Sequence, residues 1–423
     1  MLIKNRLLDK NSIFYFLSRL PNLFSQFLII KLVTYKYSNL DISYWLLYIS
    51  FLPFIALFDL GLGSLLVSKS TIIFNKYGKN ELLRFVGSST QISLIFCTLI
   101  SLLTLFVYLA IPDKVSNFLN IQSEYINVFV IFIILSLFNL PVNTAFQASI
   151  GTNRIKLLFL YKLLTQLVFL ITFLLTFNNG FKINFISSYG VLAISSWLIY
   201  YFIWGNVPLN INLNSFKKWK LIINESMPYI AMNMFVVLQF NLDTIFVAKF
   251  VSLDKVPIFA ITQKLFLIPM LINTSILDTA WPKFTKYKLE QREAYIKKFF
   301  NQSRLKALTI SSSIILILFF TFPFFLNLIG SNKYQINNSL FLIFSAFCIG
   351  NIFIGSQYSL LNGLQIKKIC LISLIISAIL NPLLSIFLAK IFNVNGPILA
   401  TVFVNLLITL VLSNYINKNK LLS

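Results

Sequence analysis

The run from Tyr44 to Ser68, YWLLYISFLPFIALFDLGLGSLLVS, contains one charged residue, Asp59. An apolar stretch of this length is typical of a helix that crosses a membrane, because about 20 residues span the hydrocarbon core. The Gly61-x-Gly63 pair beside the carboxylate resembles a nucleotide-binding turn, but it lacks a third glycine and follows no predicted strand. We therefore interpret the run as a membrane helix in which the two glycines permit close packing or a break.

The composition extends this interpretation to the whole chain. Hydrophobic residues make up 58% of the 423 positions and charged residues 11%, whereas about a quarter of the residues in soluble proteins are charged. Apolar runs recur without strand-like alternation, so the predicted fold class is an all-α polytopic membrane protein and not a soluble domain or a β-barrel. The net charge of +23 is assigned to loops that set topology, not to nucleic-acid binding. The chain has no histidine and three scattered cysteines, and we expect no metal site.

Lys and Arg are distributed unevenly between the connections of the predicted helices. One set of alternate connections, together with both termini, holds 25 of them and the other set holds eight. By the positive-inside rule, both termini are expected to be cytoplasmic. The twelve predicted spans are 12–30, 43–67, 86–111, 125–149, 163–181, 185–205, 226–248, 257–280, 307–329, 338–361, 369–389 and 396–416.

A weak internal repeat divides the twelve spans into two sets of six. Because six is even, both halves enter the membrane from the same side, which predicts two six-helix bundles related by a pseudo-two-fold axis along the membrane normal. The predicted bundles are residues 1–210 and 211–423, with a substrate path between them. The repeat is seen where Phe132, Asn139, Gly151 and Lys156 recur 212 positions later as Phe344, Asn351, Gly363 and Lys368.

Five charged residues lie within the predicted spans: Arg19, Asp59, Asp243, Lys264 and Asp278. Such residues usually face the interior of a helical bundle or an aqueous cavity. The two cations are candidates for binding an anion, since Arg suits a phosphate bidentately and Lys offers a point charge. The acidic residues are candidates for a coupling-ion site or a gate. For Asp59 and Asp278 the structural alternative is equally open, namely a helix cap or an ion pair with Lys69 or Lys283.

Two helices also carry a polar stripe. In the first span, Asn22 and Gln26 follow Arg19 at helical spacing. In the fourth span, the residues at helical spacing are Asn139, Asn143 and Gln147. Gln239 and Asp243 are spaced as i, i+4 partners in the seventh. Helices with one polar stripe suit an aqueous cavity, so these amides are candidate substrate contacts, although interhelical hydrogen bonding is the commoner role of such residues.

Several stretches resemble bacterial polysaccharide and O-antigen flippases of the Wzx type, within the multidrug/oligosaccharidyl-lipid/polysaccharide exporter superfamily. They occur in order over nearly the whole chain, with Tyr37-Ser38 and Ile42-Ser43 departing from the family's usual Leu-Gly and Tyr-Gly. The stretches are YKYSNLDISYW at 35–45, FDLGLGS at 58–64, NLDTIFVA at 241–248, NPLL at 381–384 and NGPILAT at 395–401.

The resemblance implies two six-helix bundles forming a V in the bacterial inner membrane. It implies a transporter, not an enzyme, that moves an undecaprenyl-diphosphate-linked O-antigen or polysaccharide repeat unit from the cytoplasmic to the periplasmic leaflet by alternating access. Arg19 and Lys264 would then contact the diphosphate or acidic sugars. No cofactor is expected, although coupling to a proton or sodium gradient would fit Asp59 or Asp243. Other polysaccharide assembly proteins are further candidate partners.

Two rival functions stay open at this point. A cation-coupled multidrug antiporter of the same superfamily would need mainly acidic residues at its binding site, and the mixture of charges here argues mildly against it. A membrane glycosyltransferase or O-antigen polymerase usually needs a large periplasmic loop. The longest predicted one here has about a dozen residues, so the enzyme is disfavoured.

Overall fold

A computed structural model describes residues 10–112, 122–152, 154–204, 216–240, 242–330, 338–364, 366–419 and 421–422. Within these ranges the chain is helical and contains no β-strand, which confirms the predicted all-α class. Short 3₁₀ turns and one π-helical turn, Val247–Val251, join some of the helices. The helices are α1 (Lys10–Lys36), α2 (Asn39–Ser50), α3 (Leu52–Ala56), α4 (Leu62–Ala110), α5 (Ser123–Gly151), α6 (Ile155–Thr176), α7 (Phe181–Trp204), α8 (Phe216–Phe240), α9 (Asp243–Phe246), α10 (Val256–Leu289), α11 (Glu293–Gly330), α12 (Asn338–Gly363), α13 (Lys367–Phe392) and α14 (Gly396–Lys418).

The helices are those of a polytopic membrane protein. Nine stretches within the described residues are long and apolar enough to cross a membrane. The last of them, Lys368–Lys418, contains both α13 and α14. The predicted number of twelve spans, the pseudo-two-fold axis and the V shape remain predictions.

The chain divides into two compact helical units. The first, here called the N-unit, comprises Leu17–Ile29 and Lys36–Val237. The second, the C-unit, comprises Ile30–Tyr35 and Leu238–Ser423 together with the start of α1. The predicted boundary between residues 210 and 211 lies in the interval 205–215, outside the described residues, and it stays a prediction.

Aromatic side chains fill much of the N-unit core. Trp45 of α2 is buried and meets the ring of Phe185 edge-on, with 4.6 Å between ring centroids. The Tyr48 hydroxyl donates a hydrogen bond of 2.9 Å to the backbone carbonyl of Tyr125. Because the buried tyrosine has a partner for its only polar group, this end of α2 is held against α5 without an unsatisfied hydroxyl.

In the C-unit, a core cluster joins five helices near one end. Phe284 of α10, Phe300 of α11, Leu361 of α12, Cys370 of α13 and Ile416 of α14 are all buried in it. The cluster therefore ties the end of α10 to the start of α11. It also fixes the level at which the connection between these two helices leaves the apolar interior.

The quoted run is not one continuous helix, which corrects the predicted span 43–67. After α3 comes a single 3₁₀ turn, Leu57–Asp59, and then Leu60 and Gly61 take left-handed conformations with φ of 55° and 66°. Helix α4 then starts at Leu62 and continues to Ala110, with a departure from helical geometry at Gly78. The prediction that the glycine pair permits a break is confirmed, because Gly61 adopts a backbone conformation that a residue without Cβ tolerates best.

The predicted span 226–248 is interrupted as well. Helix α8 ends at Phe240, the chain bends at Leu242, and α9 begins at Asp243. The prediction that Gln239 and Asp243 are i, i+4 neighbours on one helix is therefore wrong. The side chain of Gln239 lies outside the described part of the structure.

Candidate functional site

The Asp59 carboxylate lies at the helix break and caps the start of α4. The backbone amide of Gly61 donates to one of its oxygens at 2.7 Å, and that of Gly63 donates to the other at 3.2 Å. A carboxylate at a helix N-terminus satisfies amides that have no intrahelical acceptor and complements the helix dipole. Lys69 instead pairs with Glu225 of α8. The capping alternative for Asp59 is thus found, and its role as a gate or ion ligand stays a prediction.

The two glycines of the quoted run allow two close approaches inside the N-unit. A Cβ added at Gly61 would lie 2.8 Å from the backbone nitrogen of Ile230 and 2.9 Å from the carbonyl oxygen of Ser226, both in α8. A Cβ at Gly63 would lie 2.9 Å from the Asp59 carboxylate and 3.2 Å from Cγ of Gln147. The predicted close packing at this pair is confirmed, and Gly63 lies between the Asp59 carboxylate and the Gln147 side chain.

The polar stripe of α5 contacts a cation, Lys162, that lies outside the predicted spans. Asn143 accepts hydrogen bonds at its side-chain oxygen from the Lys162 ammonium, at 2.8 Å, and from the Tyr161 hydroxyl, at 3.1 Å. The Asn143 amide nitrogen donates to the backbone carbonyl of Asn139 at 3.2 Å. Lys162 is partly buried, and its ammonium lies 5.3 Å from the centre of the Tyr161 ring. One predicted stripe residue, Asn143, therefore orients an amine.

Lys162 was missed because the predicted fifth span began one residue too late, at 163. Helix α6 begins at Ile155, and the apolar stretch long enough to cross a membrane runs from Lys156 to Asn179. The signal in the sequence was the apolar LLFLY segment before Lys162, because apolar residues on both sides of the lysine extend the predicted span across it.

The buried side chain of Tyr161 holds this arrangement in place. Its ring is fully buried and stacks on Phe146 of α5, with centroids 3.9 Å apart and planes 9° from parallel. Its hydroxyl also lies 3.4 Å from the Ser196 hydroxyl of α7. Since the stacking and the hydrogen bonds together hold the ring, the amide of Asn143 and hence the neighbouring lysine have a defined position.

The polar residues of α1 are partly used within the N-unit. The Gln26 amide nitrogen donates to the Asn22 side-chain oxygen at 2.9 Å, and Asn22 itself is exposed. The Ser25 hydroxyl donates to the Gln166 side-chain oxygen of α6 at 2.6 Å. Within the described residues, the buried Gln26 side-chain oxygen has no hydrogen-bond partner, and neither does that of Asn139. The side chain of Arg19 lies outside the described part, so its predicted role stays a prediction.

In the C-unit, Asp243 is almost fully buried among oxygen atoms. The Thr401 hydroxyl of α14 lies 3.1 and 3.3 Å from its two carboxylate oxygens. The same hydroxyl lies 3.1 Å from the side-chain oxygen of Asn381 and 3.3 Å from the Pro397 carbonyl. A hydroxyl has one proton to donate, so it can satisfy only one of these acceptors at a time. The group suits an added proton or a small cation.

Lys264 lies in α10, about 12 Å from the helix start at 1.5 Å per residue. It is partly buried, and the described residues give its ammonium no hydrogen bond or ion pair. Its neighbour Gln263 accepts a hydrogen bond of 3.3 Å from Thr244, the residue after Asp243. Asp278 belongs to the same helix, about 21 Å further along the axis, but its side chain lies outside the described part.

Solved structures of transporters resemble the chain over nearly its full length. An inward-facing multidrug resistance MATE family transporter of the MOP superfamily aligns with a TM-score of 0.72 at 14% identity, over 96% of this chain and 95% of that one. The lipid II flippase MurJ in an inward closed conformation aligns with a TM-score of 0.68 at 16% identity, over 96% of this chain and 87% of that one. The chain has the fold of these transporters. A MOP superfamily transporter from Pyrococcus furiosus aligns with a TM-score of 0.61 at 15% identity, over 96% of this chain and 94% of that one. Its structure is described as having a binding pocket of reverse polarity.

No protein-family model matches the sequence, and no curated protein matches it. At identities this low the likeness establishes the transporter fold, and the substrate must be inferred from side chains. The similar structures include both multidrug transporters and a lipid-linked flippase. The chemistry of the charged groups in the two units therefore has to separate the two classes.

Proposed function

We propose that this protein is a flippase for an anionic lipid-linked oligosaccharide. In detail, it would move undecaprenyl-diphosphate-linked O-antigen or polysaccharide repeat units from the cytoplasmic to the periplasmic leaflet by alternating access. The observation that carries the proposal is the Lys264 ammonium, which lies inside an apolar membrane span without a partner among the described residues. The shared fold with a lipid II flippase supports it.

The depth of Lys264 makes a bound anion the simplest reason for its presence. The candidate span runs from Leu253 to Leu277, so the lysine is about 16 Å from one end and 20 Å from the other. A lysine near the centre of the hydrocarbon core costs about 2.5–3.5 kcal/mol on insertion scales. A substrate diphosphate would offset this cost by pairing with the ammonium when it binds.

A second amine supports the same substrate class from the N-unit. Lys162 is about 9 Å inside the stretch that starts at Lys156, and Asn143 and Tyr161 fix its surroundings. The asparagine oxygen does not neutralise the ammonium, because an amide carries no net charge. An ammonium held at this depth suits contact with a diphosphate or an acidic sugar. Arg19 is a third proposed contact.

The acidic residues favour an anionic substrate over a cationic drug in the N-unit. A cation-binding carboxylate needs its oxygens directed at the substrate, whereas both oxygens of Asp59 accept hydrogen bonds from backbone amides of α4. The multidrug antiporter remains the second candidate because of Asp243, whose buried oxygen cluster suits a cation. We place ion coupling there, with a proton or Na⁺ as the co-transported species.

Deletion of the protein in a bacterium that makes a matching O-unit tests the main proposal. We expect loss of surface O-antigen, accumulation of lipid-linked single units on the cytoplasmic side, and restoration by the intact chain. The Lys264→Ala and Lys162→Ala variants, at equal expression, should restore poorly, and Lys264→Arg and Lys162→Arg should restore better. Normal O-antigen in the deletion strain, with no other flippase present, would sink the proposal.

A drug-accumulation assay in the same strain separates the two candidates. A multidrug antiporter would lower the accumulation of a cationic dye such as ethidium when expressed, and this effect would survive Lys264→Ala. A flippase would leave dye accumulation unchanged. In reconstituted vesicles, Thr401→Val should weaken the dependence of transport on the ion gradient, because it removes one oxygen beside Asp243 without a change in side-chain shape.

A further inference from the structure

The end of the C-unit where α10 passes into α11 carries a dense group of basic side chains. The stretch from 283 to 306 holds eight Lys and Arg residues and two Glu residues. Six of these basic residues, called the basic collar, have side chains that are exposed or half-buried. They are Lys288, Arg292, Lys297, Lys298, Arg304 and Lys306.

Packing on the inner side turns the collar outward. Ile296 and Phe300 of α11 are 4% and 3% exposed and sit in the core cluster with Phe284. Since residues three to four apart share a helix face, Lys297 and Lys298 are directed away from that face. Both lysines are exposed.

The length of α11 sets the depth of the collar in a bilayer. The helix has 38 residues, which is about 57 Å at 1.5 Å per residue. Its charge-free part, from Ala307 to Gly330, is about 36 Å long and therefore fills a hydrocarbon core of about 30 Å with some tilt. Arg304 and Lys306 then lie at the edge of the hydrocarbon, and the turns before them pass through the headgroup layer.

The exposed side chains around the collar agree with this placement. Tyr295 is 51% exposed and Leu305 is 60% exposed on the outer face of α11. Further along, Phe320 and Phe324 are 74% and 62% exposed, as expected where a helix faces lipid tails. Tyrosine is favoured at the membrane interface because it combines an apolar ring with a polar hydroxyl. Towards the start of α11, the outer face thus changes from apolar side chains to a tyrosine and basic side chains.

Aromatic rings and one carboxylate hold part of the collar in place. The Arg304 guanidinium lies 5.0 Å from the centre of the Phe300 ring, and that of Arg292 lies 5.8 Å from the Tyr295 ring and 3.4 Å from a Glu290 oxygen. Cation–π contacts keep the charge while they reduce side-chain freedom. Two of the six collar cations are therefore held in place by their neighbours.

We propose that the basic collar binds the headgroup of an anionic phospholipid in the adjoining leaflet. The phosphate, and the net negative charge that a zwitterionic lipid lacks, would be recognised by Lys297, Lys298, Arg304 and Lys306. The lipid tails would lie along the exposed apolar side chains of α11. This surface is separate from the residues of the proposed transport function, and the inference does not depend on that function.

Native mass spectrometry of the full-length protein tests the inference, with phosphatidylglycerol as the anionic probe and phosphatidylcholine as the neutral one. The test variant is Lys297→Gln with Lys298→Gln. The matched control is Lys255→Gln with Lys390→Gln, two exposed lysines of the same unit that lie just before the start of α10 and near the end of α13. A lysine near an anionic lipid surface contributes roughly fivefold in affinity, so the dissociation constant of phosphatidylglycerol should rise about 25-fold in the test variant.

The control variant should bind phosphatidylglycerol as the wild-type chain does, and phosphatidylcholine should bind weakly to all three proteins. Equal phosphatidylglycerol affinity in the test variant and the wild type would overturn the inference, as would equal binding of both lipids by the wild type. Thermal unfolding in neutral detergent shows whether the test variant is folded. If it is not, the single variants Lys297→Gln and Lys298→Gln each carry the test, with about a fivefold loss expected.

Discussion

Replacement of Lys264 by Met separates a functional amine from a structural one. Methionine has a similar length and no charge, so the substitution removes the ammonium with little change in packing. If the lysine is kept for a substrate anion, the protein without substrate carries an unsatisfied charge inside a membrane span. The variant should then be more stable than the wild-type chain and defective in transport.

The size of the stabilisation follows from the position of the side chain. A lysine at the centre of a span costs about 2.5–3.5 kcal/mol. Snorkelling and local water lower this cost for a lysine side chain, so we take about half of it for Lys264. We therefore expect the free energy of unfolding to rise by about 1–2 kcal/mol. Lys390→Met, at an exposed position in α13, is the matched control and should change the free energy by less than about 0.5 kcal/mol.

Denaturant unfolding in detergent micelles measures the stability, and O-antigen export in the deletion strain measures transport at equal expression. A loss of stability in Lys264→Met would mean that the ammonium has a structural partner in the folded protein. Full export by the variant would remove Lys264 from the substrate site. Either result refutes the reasoning, and the two results are obtained independently.

Substitutions at three further positions, Asp59, Gly61 and Lys162, test the described contacts. Asp59→Ala should lower the free energy of unfolding by about 1–2 kcal/mol because the cap of α4 is lost, and Asp59→Asn, which keeps one acceptor, should lose less; equal losses would contradict the capping role. Gly61→Ala should cost more than about 2 kcal/mol, from its left-handed φ and the 2.8 Å approach to α8, whereas Gly350→Ala, whose new Cβ would meet nothing closer than 3.7 Å, should be tolerated. Lys162→Ala should reduce export tenfold or more, an order-of-magnitude expectation for a charge-assisted contact, whereas the exposed Lys79→Ala should not; equal export by both would exclude Lys162 from substrate binding.

Much of the candidate site could be identified as individual residues, and little of it as contacts. Asp59, Asp243 and Lys264 could be identified because a charged residue in an apolar run is recognisable from the sequence alone. Their surroundings were not predictable to the same extent. Lys69 pairs with Glu225, 156 positions away, and no local pattern relates the two. The i, i+4 rule failed for Gln239 and Asp243 because the chain bends between them.

The sequence by itself determined the all-α membrane class, and it allowed a break at the Gly61–Gly63 pair. Hydropathy and backbone preference are properties of short segments, so they can be read without knowledge of the neighbours. Only the tertiary structure decided that Lys162 meets Asn143 and that Asp243 meets Thr401, 158 positions away. Helix packing makes that choice, because it depends on the combined shape of many apolar side chains that hydropathy treats as alike.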